Sequence, residues 1–164
     1  MSKLEQKLKE NRNRRARERL LSSLDSKFSS FLSNVEFSSD VNCLKYAAFS
    51  TWDMEADCQT TTRGKISDWN NFTFKTWQDL IAFLKNYKIS QNLQGYFFID
   101  IDGPYYSINS QDFMNNIESI SEYALSNEGY DLGWVGSESD SGIIVEFNHT
   151  SFCRNEFEIS IWGI

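Results

Sequence analysis

Two segments near the C-terminus alternate apolar and polar residues so regularly that they restrict the choice of fold. Ile143, Val145 and Phe147 point one way, and Ile144, Glu146 and Asn148 the other. Phe157, Ile159 and Ile161 likewise oppose Glu158, Ser160 and Trp162. Successive side chains on a strand leave opposite sides of the sheet, so this period of two predicts strands with one face on a core. Tyr130–Val135, Tyr96–Ile101, Asn71–Lys75 and Cys43–Trp52 read as further strands, and Asp53–Lys65 as a polar loop. Asp102-Gly103 is a turn signal that sends the chain back through Pro104–Ile108. The turn 137–142 joins two of the later strands.

Helical spacing takes over elsewhere. Residues 2–35 carry Leu20, Leu21, Leu24, Phe28, Phe31, Leu32 and Val35 at helical intervals, and Ser2 with Glu5 forms a capping box. Thr76 caps a helix that turns Trp77, Leu80, Ile81 and Leu84 to one side. Ser110 opens another, with Phe113, Met114, Ile117, Ile120, Ala124 and Leu125 on one stripe and Asn127 and Gly129 as the stop. The expected fold class is α+β. An antiparallel sheet of about five to seven strands has helices packed on one face, plus an N-terminal helical arm.

Charge divides the chain in a way that the net value of −7 conceals. Residues 1–27 hold nine Lys or Arg and four Asp or Glu, whereas residues 28–164 carry a net charge of −12. Between Leu8 and Leu20 the only apolar residue is Ala16, and five arginines crowd positions 12–19. Residues 1–19 therefore read as a basic, solvated helical arm, and residues 20–164 as a single domain. From Ile89 to Cys153 there is no Lys or Arg and there are ten Asp or Glu, although the apolar pattern there is that of a folded domain. Ordinary surfaces mix signs, so a surface this one-sided favours a basic partner. The candidate partner-binding residues are Asp100, Asp102, Asp112, Glu118, Glu122, Glu138, Asp140 and Glu146. Trp134 is a candidate aromatic anchor, as are Tyr105, Tyr106 and Trp162.

Catalytic patterns compete weakly with this reading. Phe97-Phe98-Ile99-Asp100-Ile101-Asp102-Gly103 resembles the nucleophile strand of haloacid-dehalogenase-type phosphatases. That resemblance implies attack by Asp100, proton handling by Asp102 and a magnesium ion. Pro104 replaces the hydroxyl residue of that motif, and the plainer reading is a hairpin with two solvent-facing carboxylates. Cys43, Cys58, His149 and Cys153 form a conceivable zinc set, but neither upstream cysteine has a close partner. A Cys153–His149 dyad has only Arg154 near it to lower the thiol pKa. Residues 137–142 form a polar turn without the carboxylate spacing of a calcium loop. No phosphate-binding glycine loop occurs, and no cofactor or metal is expected. The basic arm lacks aromatic residues for base stacking and is joined to an acidic body, so direct nucleic-acid binding is not expected.

Gly133-Trp134-Val135-Gly136, Asp140-Ser141-Gly142-Ile143-Ile144-Val145-Glu146 and Phe157-Glu158-Ile159-Ser160-Ile161-Trp162-Gly163 together resemble small acidic immunity proteins of bacterial polymorphic toxin systems. The resemblance implies a compact, non-enzymatic α+β protein that blocks a basic, nucleic-acid-targeting toxin by stoichiometric binding. A phage-type nucleic-acid mimic acting on a host defence system predicts nearly the same surface. A metal-dependent phosphoryl-transfer hydrolase using Asp100 and Asp102 is the enzymatic alternative. Self-association through the N-terminal helix is a further expectation. No apolar run approaches the roughly 18–20 residues that span a bilayer. The N-terminus lacks the apolar core of a secretory signal, and three sparse cysteines suit reduced thiols, so the expected location is cytoplasmic.

Overall fold

The computed structural model describes residues 2–38, 70–99, 103–126, 132–138, 140–148 and 156–164. The strand expected at Cys43–Trp52, the loop that follows it, Asp100, Asp102, His149 and the three cysteines lie outside these residues. So does the helix stop at Asn127 and Gly129.

The first helix, α1 (Lys3–Ser23), begins at the anticipated box: Ser2 accepts from the Glu5 amide, and the Glu5 carboxylate takes the Ser2 amide in return. The segment expected as one run from 2 to 35 is two helices. Leu24 adopts an extended backbone, and the Asp25 carboxylate then accepts the amides of Lys27 and Phe28 at 3.1 and 3.0 Å. An Asp that captures free amides starts a new helix more cheaply than it continues the old one. That new helix is α2 (Ser26–Ser33). Packing also begins earlier than Arg19. Asn13 is buried, Arg17 is half-buried, and Leu20 completes the inward stripe.

Three more helices follow: α3 (Trp77–Asn86), α4 (Ser110–Asn115) and α5 (Ile117–Ser126). Thr76 caps α3 as expected, accepting from the Asp79 amide. Asn109, one residue before the expected start, caps α4 by accepting from the Asp112 amide at 2.8 Å. The anticipated single helix from Ser110 breaks at Asn116, whose side-chain amide donates to the Asp112 carbonyl at 2.8 Å.

The strands are β1 (Phe37–Ser38), β2 (Asn70–Phe74), β3 (Gln94–Phe98), β4 (Tyr105–Asn109), β5 (Leu132–Gly136), β6 (Gly142–Asn148) and β7 (Glu156–Trp162). They form one seven-stranded sheet, ordered β1-β4-β3-β5-β6-β7-β2, in which every neighbouring pair is antiparallel. The α+β class and the packing of helices on one face hold. On that face Phe97, Tyr106, Ile108, Trp134, Ile143, Ile159 and Ile161 meet Leu20, Phe28, Leu32, Leu80, Leu84, Phe113, Ile117 and Ile120. At about 1.5–3 kcal/mol per large apolar side chain, this burial is the main stabilising term.

The second face departs from a simple inside–outside sheet. Phe98, Tyr105, Val135, Ile144 and Trp162 form their own buried cluster there. Glycine makes that layer possible. Gly133 lies opposite Phe98 in the register, and Gly142 opposite Trp162. A Cβ on Gly133 would stand 2.8 Å from Phe98 Cζ, and one on Gly142 would overlap the Trp162 ring. Each aromatic ring therefore lies flat across its neighbouring strand. Gly142→Val is expected to destabilise the fold by about 1–3 kcal/mol through overpacking. Urea denaturation reads this, and an unchanged midpoint would mean that the Trp162 ring moves aside freely.

Candidate functional site

The described carboxylates among those singled out in the sequence do not share one surface. Asp112, Glu118 and Glu122 sit on α4 and α5, on the helical side of the sheet. Asp112 is half-buried and held locally, accepting from the Asn109 side chain at 2.7 Å. Glu118 is paired with Lys85 of α3 at 2.8 Å, with more than half of each side chain exposed. Such a pair contributes little to stability, but it places a cation inside a stretch that has none in the sequence. Next to it, Ser119 donates to Asp25 at 2.8 Å, which ties α5 to the cap of α2.

Glu146 lies on the opposite side of the sheet, because it shares a face with Ile144 and Trp162 rather than with Ile143. It stands directly across from Glu158 in the register, and both carboxylates take part in further interactions. Like charges so placed repel. Glu138 and Asp140 form a third group, exposed in the β5–β6 turn. The Ser141 hydroxyl donates to Asp140 at 3.4 Å, and no basic side chain pairs with either carboxylate among the described residues.

The expected aromatic anchors are core residues. Trp134 is fully buried, and its indole N–H donates to the Ile108 carbonyl at 2.9 Å. Its ring lies over Gly95, which a Cβ would obstruct. Tyr105, Tyr106 and Trp162 are buried as well. The glycines that receive the Trp134 and Trp162 rings lie on neighbouring strands and far away in sequence, so linear reading leaves those rings looking available.

Arg17 is the residue whose role sequence reasoning missed. It was counted with a solvated basic run, yet its guanidinium lies 4.8 Å from the centre of the Phe37 ring and donates to the Ser33 carbonyl at 2.8 Å. This joins α1 to the end of α2 and to edge strand β1. The Tyr106 hydroxyl is buried there without a hydrogen-bond partner among the described residues. Burial pushes its pKa well above the ordinary phenol value, against a smaller opposing pull from Arg17. One turn along α1 toward its start, Asn13 reaches the β3–β4 turn. Its side-chain nitrogen lies 3.1 Å from where a Cβ on Gly103 would stand, and Gly103 has a φ of 85°. The only cue to both contacts is the 13–17–20 spacing, which a polar first member hides.

Among the described residues, no group of three or more His, Cys, Asp or Glu is arranged to hold a metal ion. No helix among them is long and apolar enough to cross a membrane. The fold and surface define an α+β protein whose basic helix is anchored on an acidic sheet domain. The chain belongs to the YokC prophage protein family, whose model matches residues 1–157 and so takes in the arm and the domain together. No curated protein and no solved structure matches it.

Two outcomes follow from this geometry. Tyr106→Phe removes a hydroxyl that makes no hydrogen bond among the described residues, so its urea midpoint is expected to equal or exceed that of the parent. A loss of about 1 kcal/mol or more would reveal a partner for that oxygen. Asp25 is held below its ordinary carboxyl pKa of 3.8, chiefly by the Phe28 amide and then by Ser119. The unfolded chain therefore binds this proton more readily than the folded one. The contribution is complete above the ordinary value and is lost as pH falls through the depressed one. Thermal melts of Asp25→Asn are expected to trail the parent near neutral pH and to converge with it in acid.

Proposed function

We propose that this protein is a non-enzymatic inhibitor that binds a basic, nucleic-acid-targeting protein and occludes its surface, in the manner of a toxin-immunity protein. One observation carries the reading: Glu138 and Asp140 are exposed in the β5–β6 turn, and no basic side chain among the described residues neutralises them. A folded body with a net charge of −12 tolerates the resulting self-repulsion, and a cationic partner relieves it. With Trp134, Trp162, Tyr105 and Tyr106 committed to the core, charge and shape rather than one of these aromatic anchors supply recognition at this turn. Glu118 contributes less, because Lys85 already answers it.

Membership of a prophage family supports a partner met in the contest between phage and host. The same observation favours a second reading, a mimic of nucleic acid that occupies a host defence protein. The two share one surface and differ in the partner: a toxin in the first, a restriction or other defence protein in the second.

Affinity capture from a host carrying the prophage identifies the partner. Glu138→Lys with Asp140→Lys is expected to slow association with that partner by roughly tenfold at low salt while leaving the melt unchanged. Raising the salt is expected to weaken the parent complex steeply, because exposed charges are screened. An association rate indifferent to both changes would place the contact elsewhere.

A further inference from the structure

The two ends of the sheet are built differently. At one end β1 is two residues long, and Arg17 lies over its Phe37. At the other end β2 pairs with β7 along its whole length, from Asn70 opposite Ile161 to Phe74 opposite Phe157, without a bulge. Among the described residues β2 is the last strand of the sheet, so no strand there runs along its second edge of backbone N–H and C=O groups. Edge strands are usually blunted by shortness, a lysine, a proline, a bulge or an inward-pointing charge. Asn-Asn-Phe-Thr-Phe, residues 70–74, has none of these devices. Asn70, Phe72 and Phe74 share the helical face with Ile161, Ile159 and Phe157, and Asn71 and Thr73 share the other. The Phe72 and Phe74 rings lie 4.7 and 5.2 Å from the Phe83 ring of α3, which in turn lies 5.7 Å from that of Tyr87. All four rings are half-buried, so an aromatic group beside the edge is partly open to solvent.

We infer that β2 pairs antiparallel with β2 of a second copy of this chain, about a two-fold axis at Phe72, so that two sheets join edge to edge. Charge and self-complementarity select this occupant. Two bodies of −12 repel over much of their surface, whereas residues 70–74 are uncharged. About that axis Phe72 meets its own copy, Asn71 meets Thr73 and Asn70 meets Phe74, so no like charges stand opposite each other. The two copies of Lys75 fall at opposite ends of the ribbon, about 20 Å apart at the rise of an extended chain. The exposed cations Lys75 and Lys88 flank the edge, which suits it poorly to the basic partner proposed above. A polynucleotide has no strand to add to the ladder. Asn70 and Asn71 are already engaged, Asn71 by accepting from the Ser160 hydroxyl at 2.9 Å, and the pairing uses backbone groups rather than these side chains. Two five-residue strands with their flanking rings make a small interface, so the association is weak and reversible.

Sedimentation and amide exchange of the full-length chain test this apart from any foreign partner. The average mass is expected to rise toward two copies with concentration at about 0.1 M salt, and to do so equally at about 1 M, because the contact has no ion pair to screen. Exchange of the amides of residues 70–74 is expected to slow over the same range of concentration. Asn71→Lys with Thr73→Lys sets like charges opposite each other in the dimer and is expected to weaken self-association by roughly tenfold or more. Asn71→Ser with Thr73→Ser keeps the edge uncharged and is expected to retain the dimer. Glu138→Lys with Asp140→Lys is also expected to retain it, which separates this contact from the surface proposed for the basic partner. A single-copy mass at every concentration would overturn the inference and leave the edge to an extended segment of a foreign protein. A dimer that dissociates in high salt, or one indifferent to the Asn71 and Thr73 lysine pair, would overturn it too. Should that pair fail to fold, the exchange measurement on the parent decides alone: amides of residues 70–74 that exchange at the same rate in monomer and dimer would place the contact elsewhere.

Discussion

Close contact between aromatic rings and glycines on neighbouring strands underlies this sheet. Phe98 covers Gly133, Trp162 covers Gly142 and Trp134 covers Gly95. In each case the missing Cβ lets a large ring rest on backbone, and a one-residue slip would drive that ring into a side chain. Register is thereby held across β3, β5, β6 and β7. The rings that face away from the helices build a second buried layer, so the middle of the sheet is enclosed on both faces. The helices can then dock on an already defined surface.

This use of aromatic residues shapes the exterior. With Trp134, Trp162, Tyr105 and Tyr106 inside, the exposed side chains of the β5–β6 turn among the described residues are Ser137, Glu138 and Asp140. The acidic residues fall into separate groups: one on the helical side, one on the far face and one at the turn. Lys85 answers part of the first group. Among the described residues Glu138 and Asp140 at the turn have no such cation. The basic arm stands on the same molecule, and its inner stripe of Asn13, Arg17 and Leu20 is held against the body.

Much of this architecture was legible because it depends on local patterns. Strand alternation in β6 and β7, the Ser2–Glu5 box and the Thr76 cap all lie within a few residues of their effect. The breaks at Asp25 and Asn116 were harder to see. Apolar periodicity continues across both, and the competing signal is a single side chain that captures nearby backbone groups. Arg17 was hidden by its company, since an arginine among arginines reads as solvated until a helix, a carbonyl and a ring are brought to it from Ser33 and Phe37. Ile144, Ser160 and Trp162 were assigned to the outer side of their strands correctly, but that side is buried.

Alone, the sequence determined the α+β class, the helical arm, the positions of most elements and the sign of charge on each part, because these follow from spacing and composition along the chain. Only the tertiary structure decided the order β1-β4-β3-β5-β6-β7-β2, the double burial of the sheet and the separation of the carboxylates into distinct groups. Those outcomes depend on which distant strands pair and in what register. A shift of one position moves a side chain from one face of the sheet to the other, and no local pattern records that choice.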